Sequence, residues 1–159
     1  MATSPGPRRT KLAGSPPGGP AALAARCREA GRYLTPQRQA IHQALAACHD
    51  HPTPEALFER ARRRLPSLSL ATVYKTLDAL VELGLARELP VTGKRKRYDA
   101  NMEQHHHLVC SRCSRVQDHY DAALDRLAPR AQLAGYTVQR VTVQIHGLCP
   151  SCARAGRAR

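Results

Sequence analysis

Aromatic side chains are scarce in this chain: one Phe, five Tyr and no Trp among 159 residues. Two half-size domains built from it would have thin cores and need support from a metal or a partner subunit. Acidic residues are also few. Twelve Asp and Glu stand against 25 Lys and Arg, a formal net charge of +13, which points to a polyanionic partner. No run of about 18 apolar residues is present, which excludes a membrane-spanning helix. The N-terminus lacks an apolar signal core, so a cytoplasmic location with reduced thiols is expected.

What the chain does have is cysteine at metal-binding spacing. Cys110 and Cys113 form one C-x2-C pair, and Cys149 and Cys152 form another. Four thiolates in tetrahedral array suit zinc or an iron–sulfur centre, and with no position open to a substrate a zinc here is structural. Disulfides are the alternative, disfavoured in a reducing compartment. Cys27 and Cys48 have no close partner in sequence and read as packing residues.

Just upstream the donor chemistry changes. His105, His106 and His107 precede Cys110, Asp99 lies six residues before His105, and Asp118 lies five after Cys113. A strand from His105 to Cys110 sends His105 and His107 to one face and His106 to the other. Nitrogen and oxygen donors without sulfur suit Fe(II), Mn(II) or zinc in a higher-coordinate, exchangeable site. The alternative is a solvated polar strand end.

In chain order, residues 1–21 form a basic tail rich in Pro, Gly and Ser, which is expected to be disordered. A short helix over 21–32 ends near Gly31. Thr35-Pro36 and Thr53-Pro54 read as N-caps with proline in the first helical position, and Ser67 or Ser69 caps a fourth helix over 70–83 that stops at Gly84. Its core stripe is Leu70, Val73, Leu77 and Leu80; Thr72, Lys75 and Thr76 occupy the opposite face, with Tyr74 at the edge. Side chains of this kind read bases and phosphates from the major groove. A hairpin with Lys94-Arg95-Lys96-Arg97 near its tip has the form of a wing, Lys94 and Arg95 being the candidate phosphate contacts. Residues 22–98 therefore read as a winged helix-turn-helix domain, and 99–104 as a hinge.

Residues 105–152 read as a small α/β domain. Strands are expected up to Cys110, over 116–120 and over 136–146, with a helix over 122–133 that is kinked at Pro129. The cysteines staple the ends of two strands, and a sheet this thin is expected to dimerise. Residues 153–159 are a basic tail, expected to be frayed. The fold class is α+β, a winged helix-turn-helix followed by a zinc-stapled α/β dimerisation domain.

Leu34-Thr35-Pro36-Gln37-Arg38, His51-Pro52-Thr53, Ala71-Thr72-Val73-Tyr74, His105-His106-His107-Leu108-Val109-Cys110 and the paired C-x2-C motifs resemble the ferric uptake regulator family. The resemblance spans about 22–152. It implies a dimeric, metal-dependent repressor of DNA operators, with His51, Asp99, His105, His107 and Asp118 matching the ligands of the regulatory Fe(II) or Mn(II). Aspartate at both acidic positions resembles the peroxide-responsive branch, whose signal is peroxide rather than a small-molecule substrate. Iron-sensing members usually carry Glu there. The further site of iron sensors uses a histidine where Val141 stands, which leaves His106 and Asp125 without that ligand. The competing readings are an iron-sensing repressor, a zinc-dependent hydrolase or deaminase and a zinc-stapled adaptor without regulatory metal. The hydrolase lacks an H-x-E or H-E-x-x-H pairing to supply a general base.

Overall fold

A computed structural model of the chain describes residues 19–90, 96–126, 135–138 and 140–157. Of the expected tail over 1–21, residues 1–18 lie outside the described residues and Pro20 and Ala21 already begin a helix; the wing tip with Lys94 and Arg95 and the region around Pro129 also lie outside them.

Four helices come first: α1 (Pro20–Glu29), α2 (Pro36–Ala46), α3 (Pro54–Ala61) and α4 (Leu70–Glu82). Three begin on side-chain caps that satisfy otherwise orphaned backbone donors. Thr35 Oγ1 accepts from the Arg38 N–H at 3.1 Å, Thr53 Oγ1 from Ala56 at 3.3 Å and Ser69 Oγ from Thr72 at 3.1 Å. Ser69, not Ser67, caps α4. The stop after α4 is equally local: Gly84 has φ 67°, its N–H donates to Val81 O and that of Leu85 to Leu80 O, the paired bonds of a Schellman end.

The helices bury Leu23, Cys27, Ile41, Leu45, Leu57, Val73, Leu77 and Leu80 in one core, which Leu85, Ala86 and Tyr98 extend. Two expectations for α4 are corrected. Leu70 is 36% exposed, because it sits at the first turn, beyond the edge of that core. Thr76 is 6% exposed and does not belong to the outward face. It lies three residues after Val73 and four before Leu80, so helical geometry puts it on the packed side. Cys27 is a core residue as expected, while Cys48 is only half-buried.

Strands β1 (Arg87–Leu89) and β2 (Arg97–Asp99) pair antiparallel, with Arg87 opposite Asp99. The second sheet has β3 (His106–Cys110) in the middle. β4 (Val116–His119) pairs antiparallel on one side and β5 (Gln144–Gly147) parallel on the other. Val109 and Val116 of this sheet pack with Leu89 of β1 in a small apolar cluster. Of the strand expected over 136–146, only the end is a regular strand among the described residues. β3 is five residues long and its register with β5 starts at His107 opposite Gln144, which leaves the preceding alternation little to pair with. Of the helix expected over 122–133, α5 (Ala122–Asp125) is described. The described part of the tail after Cys152 is not frayed: α6 (Pro150–Arg157) runs through it to Arg157, started by Pro150 and held by Arg112 Nη1 donating to Cys152 O at 2.9 Å.

Candidate metal centre

Two donor clusters sit at opposite ends of β3. At its C-terminal end, Cys110 lies beside Gly147 in the parallel register, which brings Cys149 and Cys152 of the β5–α6 junction next to Cys110 and Cys113. All four Sγ atoms fall within 4.8 Å of one another. Cys113 Sγ and Cys149 Sγ are 3.8 Å apart, far beyond the about 2.05 Å of a disulfide, and all six cysteines are free thiols. The disulfide alternative is therefore not realised. Backbone N–H groups of Cys149 and Cys113 hold the Cys110 thiol down to about 6, while the crowding thiols of Cys149, Cys113 and Cys110 push Cys152 up to about 12. Four sulfurs this close cannot all ionise without a cation between them, which is the chemistry of a tetrahedral zinc site.

The second cluster is free of sulfur. Strand alternation puts His105 and His107 on one face, and the antiparallel register sets His107 directly opposite Asp118. Asp99 ends β2, and His51 comes from the loop between α2 and α3. His105 Nε2 is 3.1 Å from His107 Nε2, 3.2 Å from Asp99 Oδ2 and 3.5 Å from Asp118 Oδ1. His51 Nε2 is 2.8 Å from Asp118 Oδ1 and 3.9 Å from Asp99 Oδ1. His51, Asp99, His105 and His107 are all buried, and Asp118 is half-buried. Asp99 Oδ2 and Asp118 Oδ1 carry no aligned hydrogen bond among the described residues, although both face the imidazoles. Buried acceptors left in this state, beside three converging ring nitrogens, fit a divalent cation.

The charges are set accordingly. Burial opposes ionisation of Asp118, but the His51 imidazole close against it and the nearby His105 outweigh that and hold its carboxyl at about 2. Asp99 is likewise lowered: burial raises it, but the His105 contact and the Asn101 N–H prevail. Burial, then His105 and His51, push His107 down to about 4, so it is neutral near pH 7 and its lone pair is available. Burial works to lower His105, but the Asp99 hydrogen bond and the charges of Asp118 and Asp99 raise it on balance above the ordinary imidazole value. Its Nδ1 faces the Glu103 carbonyl at 2.9 Å; donation there turns Nε2 toward the cluster.

Several supporting residues escaped sequence reasoning. His51 has φ 49°, the left-handed region, where a non-glycine residue costs about 1–3 kcal/mol. Arg97 Nη1 donates to the His51 carbonyl at 2.9 Å, and the Tyr98 N–H to Pro52 O at 3.2 Å. Thus β2, which carries Asp99, also grips the loop that carries His51. Arg87 Nη2 donates to Asn101 O and stands 3.4 Å from Asp99 Oδ2. Asn101 donates its N–H to Asp99 Oδ1 at 2.6 Å and its Nδ2 to Tyr120 Oη at 2.7 Å. No spacing rule singles out these residues. His106 points to the other face, as alternation predicts, with Nε2 3.2 Å from Asp125 Oδ1 and Nδ1 accepting from Val143 N–H at 3.2 Å.

The expected nucleic-acid face is divided. Lys75 is exposed, Tyr74 is 37% exposed with its hydroxyl donating to Glu55 Oε1 at 2.7 Å, and Thr72 is half-buried beside the Ser69 cap. Thr76 is withdrawn. Of the four wing cations, Lys96 pairs with Glu88 at 2.9 Å and Arg97 turns inward to the His51 loop.

Residues 29–146 match the model of the ferric uptake regulator family. The chain is 32% identical over 130 residues to the peroxide-responsive repressor PerR of Staphylococcus epidermidis, covering 81% of this chain and 87% of that protein. A solved structure of the Campylobacter jejuni peroxide stress regulator is 32% identical with a TM-score of 0.63, over 83% of this chain and 97% of that one. The fold also matches the Helicobacter pylori ferric uptake regulator, with a TM-score of 0.71 at 20% identity, over 84% and 90% of the two chains. With the caps, the two-sheet architecture and both donor clusters in place, the matched length is decisive: this chain belongs to the ferric uptake regulator family.

Proposed function

We propose that this protein is a metal-dependent transcriptional repressor that binds operator DNA as a homodimer and senses peroxide. The observation that carries the reading is the sulfur-free cluster itself. Its donors come from both parts of the fold: His51 and Asp99 from the helical part with its hairpin, and His105, His107 and Asp118 from the β3–β4 sheet. The relatives named for peroxide response point the same way, and the two carboxylates are aspartates. The family consists of regulators, so the hydrolase reading is set aside.

In this reading Cys110, Cys113, Cys149 and Cys152 hold structural zinc, and the five His and Asp side chains hold Fe(II) or Mn(II). Residues 22–98 form the DNA-binding domain, 99–104 the hinge and 105–152 the dimerisation domain. Thr72, Tyr74, Lys75, Lys94 and Arg95 face the operator. His51 and Asp99 reach their full donor set only when the two parts are docked, so coordination selects the closed form and fixes the spacing of the two recognition helices in the dimer. Shifting the population from mostly open to mostly closed needs a preference of about 5.5 kcal/mol for the closed form.

Fe(II) held by these donors would supply the redox chemistry that opens the O–O bond of hydrogen peroxide, lending an electron that the oxidised ring returns, and Mn(II) does not readily take part in such chemistry. The His51 and His105 rings then stand where a ring carbon takes up one oxygen while the other leaves as water. An oxidised ring is a poorer donor, His51 lets go of the sheet, and repression ends. The test is operator binding by apo, Mn(II)-loaded and Fe(II)-loaded dimer, with and without peroxide. Both loaded forms should bind, and only the iron form should release DNA on peroxide. Equal binding by the apo protein would overturn the reading.

A further inference from the structure

Tyr120 is held against the His/Asp cluster by contacts that metal binding does not require. Its ring lies 5.8 Å, centroid to centroid, from that of His105, tilted by 40°. Its hydroxyl oxygen accepts from Asn101 Nδ2 at 2.7 Å and lies 3.5 Å from Asp118 Oδ2. Asn101 also fixes Asp99 Oδ1, so one side chain and its backbone tie a phenol to both carboxylates of the cluster. Tyr120 is 47% exposed, open enough for a small oxidant and for exchange with solvent. A phenol ring gives up electrons more readily than an imidazole, and the carbons beside its hydroxyl-bearing carbon are its most reactive.

We propose that Tyr120 is a second site of oxidative modification, at which peroxide activated in the cluster converts the phenol to a catechol in competition with oxygen uptake by His51 or His105. The proposal rests on the peroxide-sensing reading above. The balance is that of a two-electron hydroxylation. A ring C–H bond and the peroxide O–O bond break, a C–O bond forms on the ring, and the second oxygen leaves as water. The ring carbon is oxidised, peroxide is reduced, and no other reductant is needed. Oxidant captured by Tyr120 spares the imidazoles, so this ring sets how much peroxide is needed before the donors fail.

The experiment treats Fe(II)-loaded and Mn(II)-loaded full-length protein with limiting peroxide, followed by tryptic digestion and fragment sequencing by mass spectrometry. Cleavage after Arg115 and Arg126 isolates residues 116–126, in which fragmentation separates Tyr120 from His119. The expected result is one added oxygen on Tyr120 in the iron form alone, loss of that product in Tyr120→Phe, and a larger oxidised share of His51 and His105 in the same variant. Asn101→Ala should lower the Tyr120 share by freeing the phenol. A readout independent of peroxide is the near-ultraviolet tyrosine absorbance, which Mn(II) addition should perturb in the parent protein and not in Tyr120→Phe. Oxygen on the histidines with none on Tyr120 overturns this inference and leaves the sensor reading standing. Oxygen on none of the three overturns both. Equal modification in the manganese form marks attack by bulk peroxide and also overturns it.

Discussion

The two donor clusters share one strand, yet they are built on opposite plans. The sulfur cluster is local: all four cysteines flank β3 and β5 in a single sheet, which contributes Val109 and Val116 to a small apolar cluster with Leu89 of β1. The nitrogen and oxygen cluster spans the molecule, with His51 and Asp99 tied to the large helical core and the remaining donors to the sheet. A closed set of soft donors within one thin layer substitutes for missing apolar core. An open set of harder donors across two layers would, in the proposed reading, make their docking depend on an exchangeable ion. The difference separates a staple from a switch, and each prediction below attacks one side of it.

The largest effect should follow from breaking the staple. Cys110→Ser or Cys149→Ser should abolish bound zinc and unfold the sheet while α1 to α4 persist on their own core. Structural zinc is worth about 10–16 kcal/mol in small modules, comparable with the about 5–15 kcal/mol of a whole domain. Elemental analysis together with far-ultraviolet circular dichroism checks both halves of that statement.

Breaking the switch should spare the staple. His51→Ala should retain zinc and lower Mn(II) affinity by more than about 100-fold, the upper range for loss of a supporting partner alone. Calorimetric titration of zinc-replete protein measures it. The next effect concerns how His51 is presented. Arg97→Ala removes the donor to the His51 carbonyl and relaxes its left-handed backbone, so Mn(II) affinity should fall by about tenfold. Lys96→Ala, which removes only a surface pair with Glu88, should leave that affinity unchanged.

The switch should also respond to acid. His105 has a raised pKa in the metal-free protein and must release its proton to coordinate. Apparent Mn(II) affinity should therefore be independent of this group above its pKa and fall by about tenfold per pH unit below it. Asp99 and Asp118 are both lowered and stay ionised through that range, and His107, at about 4, adds a further loss only in stronger acid. Mn(II) titrations across this range check the slope. The smallest change is on the DNA side: Lys94→Ala with Arg95→Ala should weaken all sequences alike and flatten the logarithmic salt dependence by about 0.9 per lost phosphate contact. Operator binding at several salt concentrations measures that slope.

Much was legible from local chemistry. Thr35, Thr53 and Ser69 act as caps because their side chains need only a donor three residues on, and Gly84 stops α4 because it alone there accepts a left-handed backbone. The division of His105 and His107 from His106 follows from the period of a strand. The misreadings share a cause. The polarity of Thr76 suggests an outward side chain, although its spacing from Val73 and Leu80 buries it, and the 136–146 alternation calls for a longer neighbouring strand than β3 provides.

The sequence by itself determined the donor types, their spacing and the cap-to-cap layout of the helices, because each depends on residues within a turn or two of one another. The tertiary structure decided which donors converge. It paired His107 with Asp118 through strand register, and brought Cys149 beside Cys110 across 39 residues. It also recruited Arg97, Asn101 and Tyr120 to the cluster. These contacts depend on how two sheets and a helical core dock, and the free energy of that docking is spread over the whole interface rather than written in any short stretch of chain.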